Sequence, residues 1–282
     1  VSLPLTPSEI AQFVHATLAE DMGLGGDVTA RVTIPATAKF RGVMDTREEM
    51  VVAGLPLAVA FFKTLDPDCA IVCHAKDGDK VEAGRDLMIL HGTARAMLTA
   101  ERSALNSVQH LSGIATMTRH YVDAISGTGA ILLDTRKTIP GLRTLEKYAT
   151  RMGGAQNHRM RLDDGLLIKD NHIGVAGSVG AAVQAAKAAN TGLMCQVEVD
   201  RISQIEEALA AGADRLLLDN MTPDELRAAV ALVNGRVPLE ASGGVRLDTI
   251  RAIAETGVTY ISVGRITQSA PAVDIGLDFE PL

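Results

Sequence analysis

Residues 196–242 read QVEVDRISQIEEALAAGADRLLLDNMTPDELRAAVALVNGRVPLEAS. Three short apolar runs, Gln196–Asp200, Leu216–Asp219 and Leu239–Ser242, alternate with helical apolar spacing over 202–211 and 223–233. A repeat of strand then helix implies parallel strands joined by right-handed crossovers. The pattern extends both ways. Upstream, Ile131–Arg136 and Leu166–Lys169 read as strands, with a helix over 178–189; downstream, a helix over 246–255 leads into a strand at Tyr260–Gly264. A β/α barrel, complete or incomplete, is the natural closure, and a doubly wound open sheet is its main rival.

The pattern changes towards the N-terminus. Ile10, Phe13, Val14 and Leu18 follow helical spacing after Pro7 and run towards the glycines at 23, 25 and 26. Between Lys39 and Gly92, strands are expected at Gly42–Met44, Met50–Val52, Ala70–Cys73 and Leu87–Leu90, with a helix over Leu55–Leu65. From Ala94 to Ile125 a long helical stretch, punctuated at Ser112-Gly113, connects this α+β part to the barrel. The expected division is an N-terminal α+β domain over 1–110 and a barrel domain over 111–269, with the tail 270–282 free to pack back on the first.

Composition limits the function classes. The chain has 282 residues, 47% hydrophobic and 22% charged, with no Trp, which fits one barrel plus a small domain and excludes disorder. A net charge of −7 argues against nucleic acid as a partner, and no apolar run reaches the roughly 18 residues of a membrane span. Cys69, Cys73 and Cys195 are an odd number without a zinc-like arrangement, so a reduced, cytoplasmic protein is expected. His15, His74, His91, His110 and His120 are given no role, and Met44, Met50 and Met88 read as core filler.

In a β/α barrel the active site lies at the C-terminal ends of the strands. All six expected strand ends carry polar residues: Arg136-Lys137, Lys169 to His172, Glu198, Asp219-Asn220, Ser242-Gly243-Gly244 and Gly264-Arg265. Any one of these could be a solvated turn, but their recurrence points to one site. Glu198 alternates with Val197 and Val199 and so should face the barrel interior, where an unused charge is costly. Arg136, Lys137, His158, Arg159 and Lys169 form a basic set suited to a ligand bearing several carboxylates or phosphates. Glu198 and Asp219 suit a ribose, a magnesium ion or a developing positive charge on a sugar ring. Ser242-Gly243-Gly244, ahead of a helix containing Leu247 and Ile250, suits a phosphate together with Gly264.

The segments Asp134-Thr135-Arg136-Lys137-Thr138-Ile139-Pro140-Gly141, Asn157-His158-Arg159, Leu167-Ile168-Lys169-Asp170-Asn171-His172-Ile173, Val197-Glu198-Val199, Leu218-Asp219-Asn220, Glu240-Ala241-Ser242-Gly243-Gly244 and Ile261-Ser262-Val263-Gly264 resemble, in order, the quinolinate phosphoribosyltransferase family. The resemblance implies a seven-stranded open β/α barrel with a small N-terminal α+β sandwich domain. It also implies decarboxylating phosphoribosyl transfer from phosphoribosyl pyrophosphate to quinolinate, giving nicotinate mononucleotide for NAD biosynthesis. A homodimer or higher homo-oligomer is implied, with Arg102 reaching across the interface. By the same resemblance Arg136, His158, Arg159 and Lys169 would hold the carboxylates, Lys137 would assist, and Glu198 and Asp219 would address ribose and Mg2+. Thr135, Ser242, Gly243, Gly244, Val263, Gly264 and Arg265 would complete the substrate site, and Lys137, Lys169, Glu198 and Asp219 would carry the catalytic work. Arg265 and Gln268 stand where the family often has Ala and His. The alternatives are a nicotinate-specific or molybdenum-transport-associated paralogue on the same barrel.

Overall fold

In the computed structural model, residues 2–282 are described. The chain opens with helix α1 (Pro7–Met22), whose start is a reciprocal cap: Glu9 N–H donates to Thr6 Oγ1 at 3.2 Å, and Thr6 N–H donates to Glu9 Oε2 at 2.7 Å. After α2 (Val28–Thr33) come β1 (Lys39–Thr46), β2 (Met50–Val51), α3 (Leu55–Leu65), β3 (Ala70–Cys73), β4 (Lys80–Val81) and β5 (Asp86–Thr93). Helix α3 has the bounds its apolar pattern predicts. Its first amides, at Gly54 and Leu55, donate to the Asp77 carboxylate at 2.8 and 3.0 Å.

Helix α4 (Ala94–Ala124) is continuous through Ser112-Gly113, where an interruption was expected. The glycine serves packing there: a Cβ on Gly113 would collide with the Pro271 carbonyl. Ser112, fully buried, hydrogen-bonds both polar backbone groups of Ala53.

The repeating part follows as β6 (Ile131–Leu133), α5 (Arg143–Gly153), β7 (Leu166–Ile168), α6 (Asp170–Ala176), α7 (Val179–Ala188), β8 (Cys195–Val199), α8 (Ile205–Ala210), β9 (Arg215–Asp219), α9 (Pro223–Val233), β10 (Leu239–Ser242), α10 (Ile250–Ala254), β11 (Tyr260–Ser262) and α11 (Arg265–Gln268). The last element is β12 (Ile275–Pro281). Strands β6 to β11 form a parallel sheet in the order β6-β11-β10-β9-β8-β7. Five strands run consecutively and the first sits beside the last, which is barrel order. A doubly wound sheet would reverse direction within it. The seventh strand implied by the resemblance is reduced to a parallel bridge from Leu133 to Gln156.

The chain separates into two compact units, 1–117 with 144–153 and 269–282, and 118–143 with 154–268. In the first, β12-β1-β5-β3 is an antiparallel sheet and β2 pairs with β4. Met44, Met50 and Met88 are buried in it, as their spacing suggests. Helix α5 belongs to this unit and was not foreseen, since Glu146, Lys147 and Arg151 give its sequence a surface look. Glu146 is nonetheless fully buried and pairs with His110 Nε2 at 2.8 Å, so His110 has the partner that the sequence did not disclose.

Two further expectations are corrected in the second unit. Strand β6 stops at Leu133 rather than Arg136, because Asp134 turns its carboxylate to the segment 157–158. Helix α10 begins only at Ile250. Residues 246–249 form a turn in which Arg246 grips Asp248 through two hydrogen bonds and Arg246 N–H donates to Thr249 Oγ1.

Candidate active site

The interior of the barrel strands is polar where branched apolar side chains are usual. The register aligns Glu198 on β8, Leu217 on β9, Glu240 on β10 and Tyr260 on β11 in one row, with Asp219 and Ser242 paired one step nearer the C-terminal ends. Their alternates, Val197, Val199, Leu216, Leu218, Leu239 and Ala241, are buried on the other side of the sheet. Side chains alternate across a strand, so each inward polar residue is held by apolar neighbours that cannot exchange places with it.

Glu198, Leu217, Asp219, Glu240 and Ser242 line a cavity of about 890 Å³ at the strand ends. Of the expected site residues, Thr135, Arg136, Lys137, His158, Arg159, Lys169, Glu198, Asp219, Ser242, Gly243, Gly244, Val263, Gly264 and Arg265 all lie on its wall. Arg102 does not; it is an exposed residue of α4 in the first unit.

One wall is cationic. Asp134, fully buried, accepts the His158 N–H at 2.7 Å and the Asn157 side-chain amide at 2.6 Å, which fixes the segment carrying Arg159. Arg159 Nη1 donates to the Gly165 carbonyl at 2.9 Å. Burial, and then the Arg136 guanidinium beside it, hold Arg159 below the usual arginine range. Arg136 Nε is buried without a hydrogen-bond partner among the described residues. Two guanidiniums kept close enough to repel each other are a prepared site for a dianion. Lys137 approaches from the loop after β6: its N–H donates to Thr135 Oγ1 at 3.0 Å, its carbonyl accepts from Thr267 Oγ1 at 2.7 Å, and its stem crosses Gly264. A Cβ on Gly264 would lie 2.8 Å from Lys137 Cδ.

The other wall is anionic. Glu198, whose side chain is only 11% exposed, is ion-paired with Lys169, which is 47% exposed. Asp219 accepts from Asn220 Nδ2 at 2.6 Å.

Between the walls runs the loop after β10. Gly243 and Gly244 both have left-handed backbone, with φ of 93° and 63°. A Cβ on Gly243 would also collide with Asn220 Oδ1, so only glycine fits. Because α10 starts later than expected, the amides available to an anion belong to this glycine turn rather than to a helix end. Arg246, Arg265 and Gln268 stand at its edge.

Sequence reasoning missed Glu240 and Arg246 as wall residues, whereas Gln268, singled out beside Arg265, lies on the wall. Glu240 had a legible signal, since it lies between Leu239 and Ala241 as Glu198 lies between two valines. Arg246 follows the irregular turn after β10 and has none.

Two family models match the chain: the N-terminal domain of quinolinate phosphoribosyl transferase over residues 27–112, and its C-terminal domain over 114–278. The nicotinate-nucleotide pyrophosphorylase (carboxylating) of Mycobacterium leprae is 43% identical over 270 residues, covering 94% of this chain and 95% of the relative. The quinolinate phosphoribosyltransferase (decarboxylating) 2, mitochondrial, of Nicotiana glauca is 38% identical, covering 99% of this chain and 85% of the relative. Among solved structures, the nicotinate-nucleotide pyrophosphorylase of Ehrlichia chaffeensis superposes with a TM-score of 0.93 at 42% identity, covering 98% of this chain and all of its own.

Proposed function

Because the chain belongs to the quinolinate phosphoribosyl transferase family, we propose that it transfers phosphoribose from phosphoribosyl pyrophosphate to quinolinate, releasing pyrophosphate and carbon dioxide and yielding nicotinate mononucleotide. The observation that carries this reading is the joint presence, in one cavity, of the Arg136–Arg159 pair and the Gly243-Gly244 turn. The first suits an aromatic dicarboxylate and the second a sugar phosphate.

Arg136, Arg159 and Lys169 hold the two ring carboxylates, with Lys137 adding positive charge. The backbone of Ser242 to Gly244, with Val263 and Gly264, receives the 5-phosphate, and Arg265 supplies the cationic contact at its rim. Thr135 orients the Lys137 loop. Glu198 and Asp219 face the ribose, whose anomeric carbon gains positive charge as the bond to pyrophosphate breaks. Their carboxylates stabilise that charge, and the pyridine nitrogen closes on the carbon. The nitrogen is now quaternary. The bond from C2 to its carboxylate breaks, the electron pair stays on C2 beside the positive nitrogen, carbon dioxide departs, and C2 takes up a proton. Position and electrostatics suffice, so no protein nucleophile is needed.

Magnesium fits this donor set in one way. No group of three or more His, Cys, Asp or Glu side chains suited to a metal occurs among the described residues. Mg2+ is commonly held by one or two carboxylates with substrate phosphates and water, and Glu198 and Asp219 would fill that part. When bound it would neutralise charge on the leaving pyrophosphate.

We assign the chain to a homodimer in which Arg102 of one copy completes the other's cavity, and to the cytoplasm, in keeping with its three free cysteines and the lack of any membrane-length apolar helix among the described residues. Mixing inactive Arg102→Ala and Glu198→Gln chains under exchange conditions should restore roughly a quarter of wild-type activity, because half the random dimers then hold one intact site of two. No recovery would refute the shared site. The reaction itself is tested by incubating the protein with quinolinate, phosphoribosyl pyrophosphate and Mg2+, using nicotinate as the control acceptor. Nucleotide from quinolinate alone is expected; nucleotide from nicotinate alone would favour the nicotinate-specific paralogue.

A further inference from the structure

Glu240 is fully buried in the barrel interior, yet it also reaches the cavity floor. A buried carboxylate is costly unless its surroundings compensate it. Gln196 Nε2 donates to Glu240 Oε2 at 2.8 Å, His158 Nε2 lies 3.4 Å from the same oxygen, and Arg215 Nη1 lies 3.7 Å from it while its guanidinium stacks 4.1 Å from the Tyr260 ring centre. Burial pushes the Glu240 carboxyl up, but hydrogen bonds from His158, Gln196 and Ser262 outweigh it and hold the group below the ordinary glutamate value.

The His158 ring is bound on both sides. Its Nδ1 accepts the Arg159 N–H at 2.8 Å, so that nitrogen carries no proton and the ring proton sits on Nε2, towards Glu240. A ring tied to Glu240 at one nitrogen and to the Arg159 peptide at the other transmits the position of the barrel floor to the arginine.

We propose that Glu240 is a positioning residue which, through His158, aims the Arg159 guanidinium at the substrate carboxylates. This rests on quinolinate being the acceptor, as proposed above. It sets His158 apart from the direct ligands Arg136, Arg159 and Lys169, and gives the barrel floor control over acceptor binding.

The test uses steady-state kinetics of Glu240→Gln, which keeps the side chain's shape and removes its charge. The KM for quinolinate should rise about tenfold, a usual loss when a hydrogen bond to a charged group is weakened, while the KM for phosphoribosyl pyrophosphate stays within about twofold. That split separates positioning from general damage, because Ser242-Gly243-Gly244 begins two residues after Glu240 on the same strand and a distorted β10 would disturb the phosphate side at least as much. His158→Asn should reproduce the quinolinate effect, and the double variant should be no worse than either single one. Equal rises in both KM values, unchanged kinetics, or additive effects in the double variant would overturn the proposal. If Glu240→Gln does not fold, His158→Asn decides alone: a normal KM for quinolinate overturns it. Wild-type protein inert towards quinolinate would instead overturn the functional reading, and this inference with it.

Discussion

Glu198→Gln is expected to lower kcat by about a hundredfold while leaving the melting temperature nearly unchanged, since removing one electrostatic stabiliser of a developing charge typically costs that much. The side chain is almost wholly shielded from solvent on the cavity wall, so its charge acts at short range on a ribose beside Asp219. Glutamine fills the same space and leaves the burial of Val197 and Val199 intact. The Lys169 ammonium loses its partner, but it is close to half exposed, and pairs of that kind contribute only about 0–1 kcal/mol to stability. Stopped assays at saturating substrates, with a thermal melt of the same preparation, check both halves. A kcat within threefold of wild type would remove Glu198 from the chemistry.

Arg136→Ala should reduce kcat/KM for quinolinate by about a hundredfold, the scale set by lost charge-assisted hydrogen bonds, without lowering stability. The sign of the stability effect follows from Arg159. In the free protein that guanidinium is already disfavoured by burial and by Arg136, so deleting Arg136 relieves a repulsion. Function and stability oppose each other at such sites. Wild-type protein should gain thermal stability from added quinolinate, and the variant should gain little. If the variant melts several degrees lower without ligand, Arg136 has a structural task that the present account omits.

The barrel was legible because each strand is a compact apolar run ended by polar residues, and all six runs became strands with their order set by the crossovers between them. Helices with a clear apolar stripe, such as α3 and α9, were legible to the residue. What escaped was structure held by interactions distant in sequence. Helix α5 buries Glu146 against His110, a pairing that no local pattern announces. Gly113 reads locally as a break, whereas it answers to the backbone at Pro271 far along the chain. In the site, the chemistry of Arg136, Glu198 and the Gly-Gly turn was visible because charge and glycine recur at strand ends. The His158–Glu240 link was not, because it joins the loop before β7 to the middle of β10.

The most direct test of the account is the fate of the carboxyl group next to the ring nitrogen. Quinolinate labelled at its 2-carboxyl, turned over with phosphoribosyl pyrophosphate and Mg2+, should release one labelled carbon dioxide for each nucleotide formed. Nucleotide that retains the label, or carbon dioxide released without nucleotide, would contradict it.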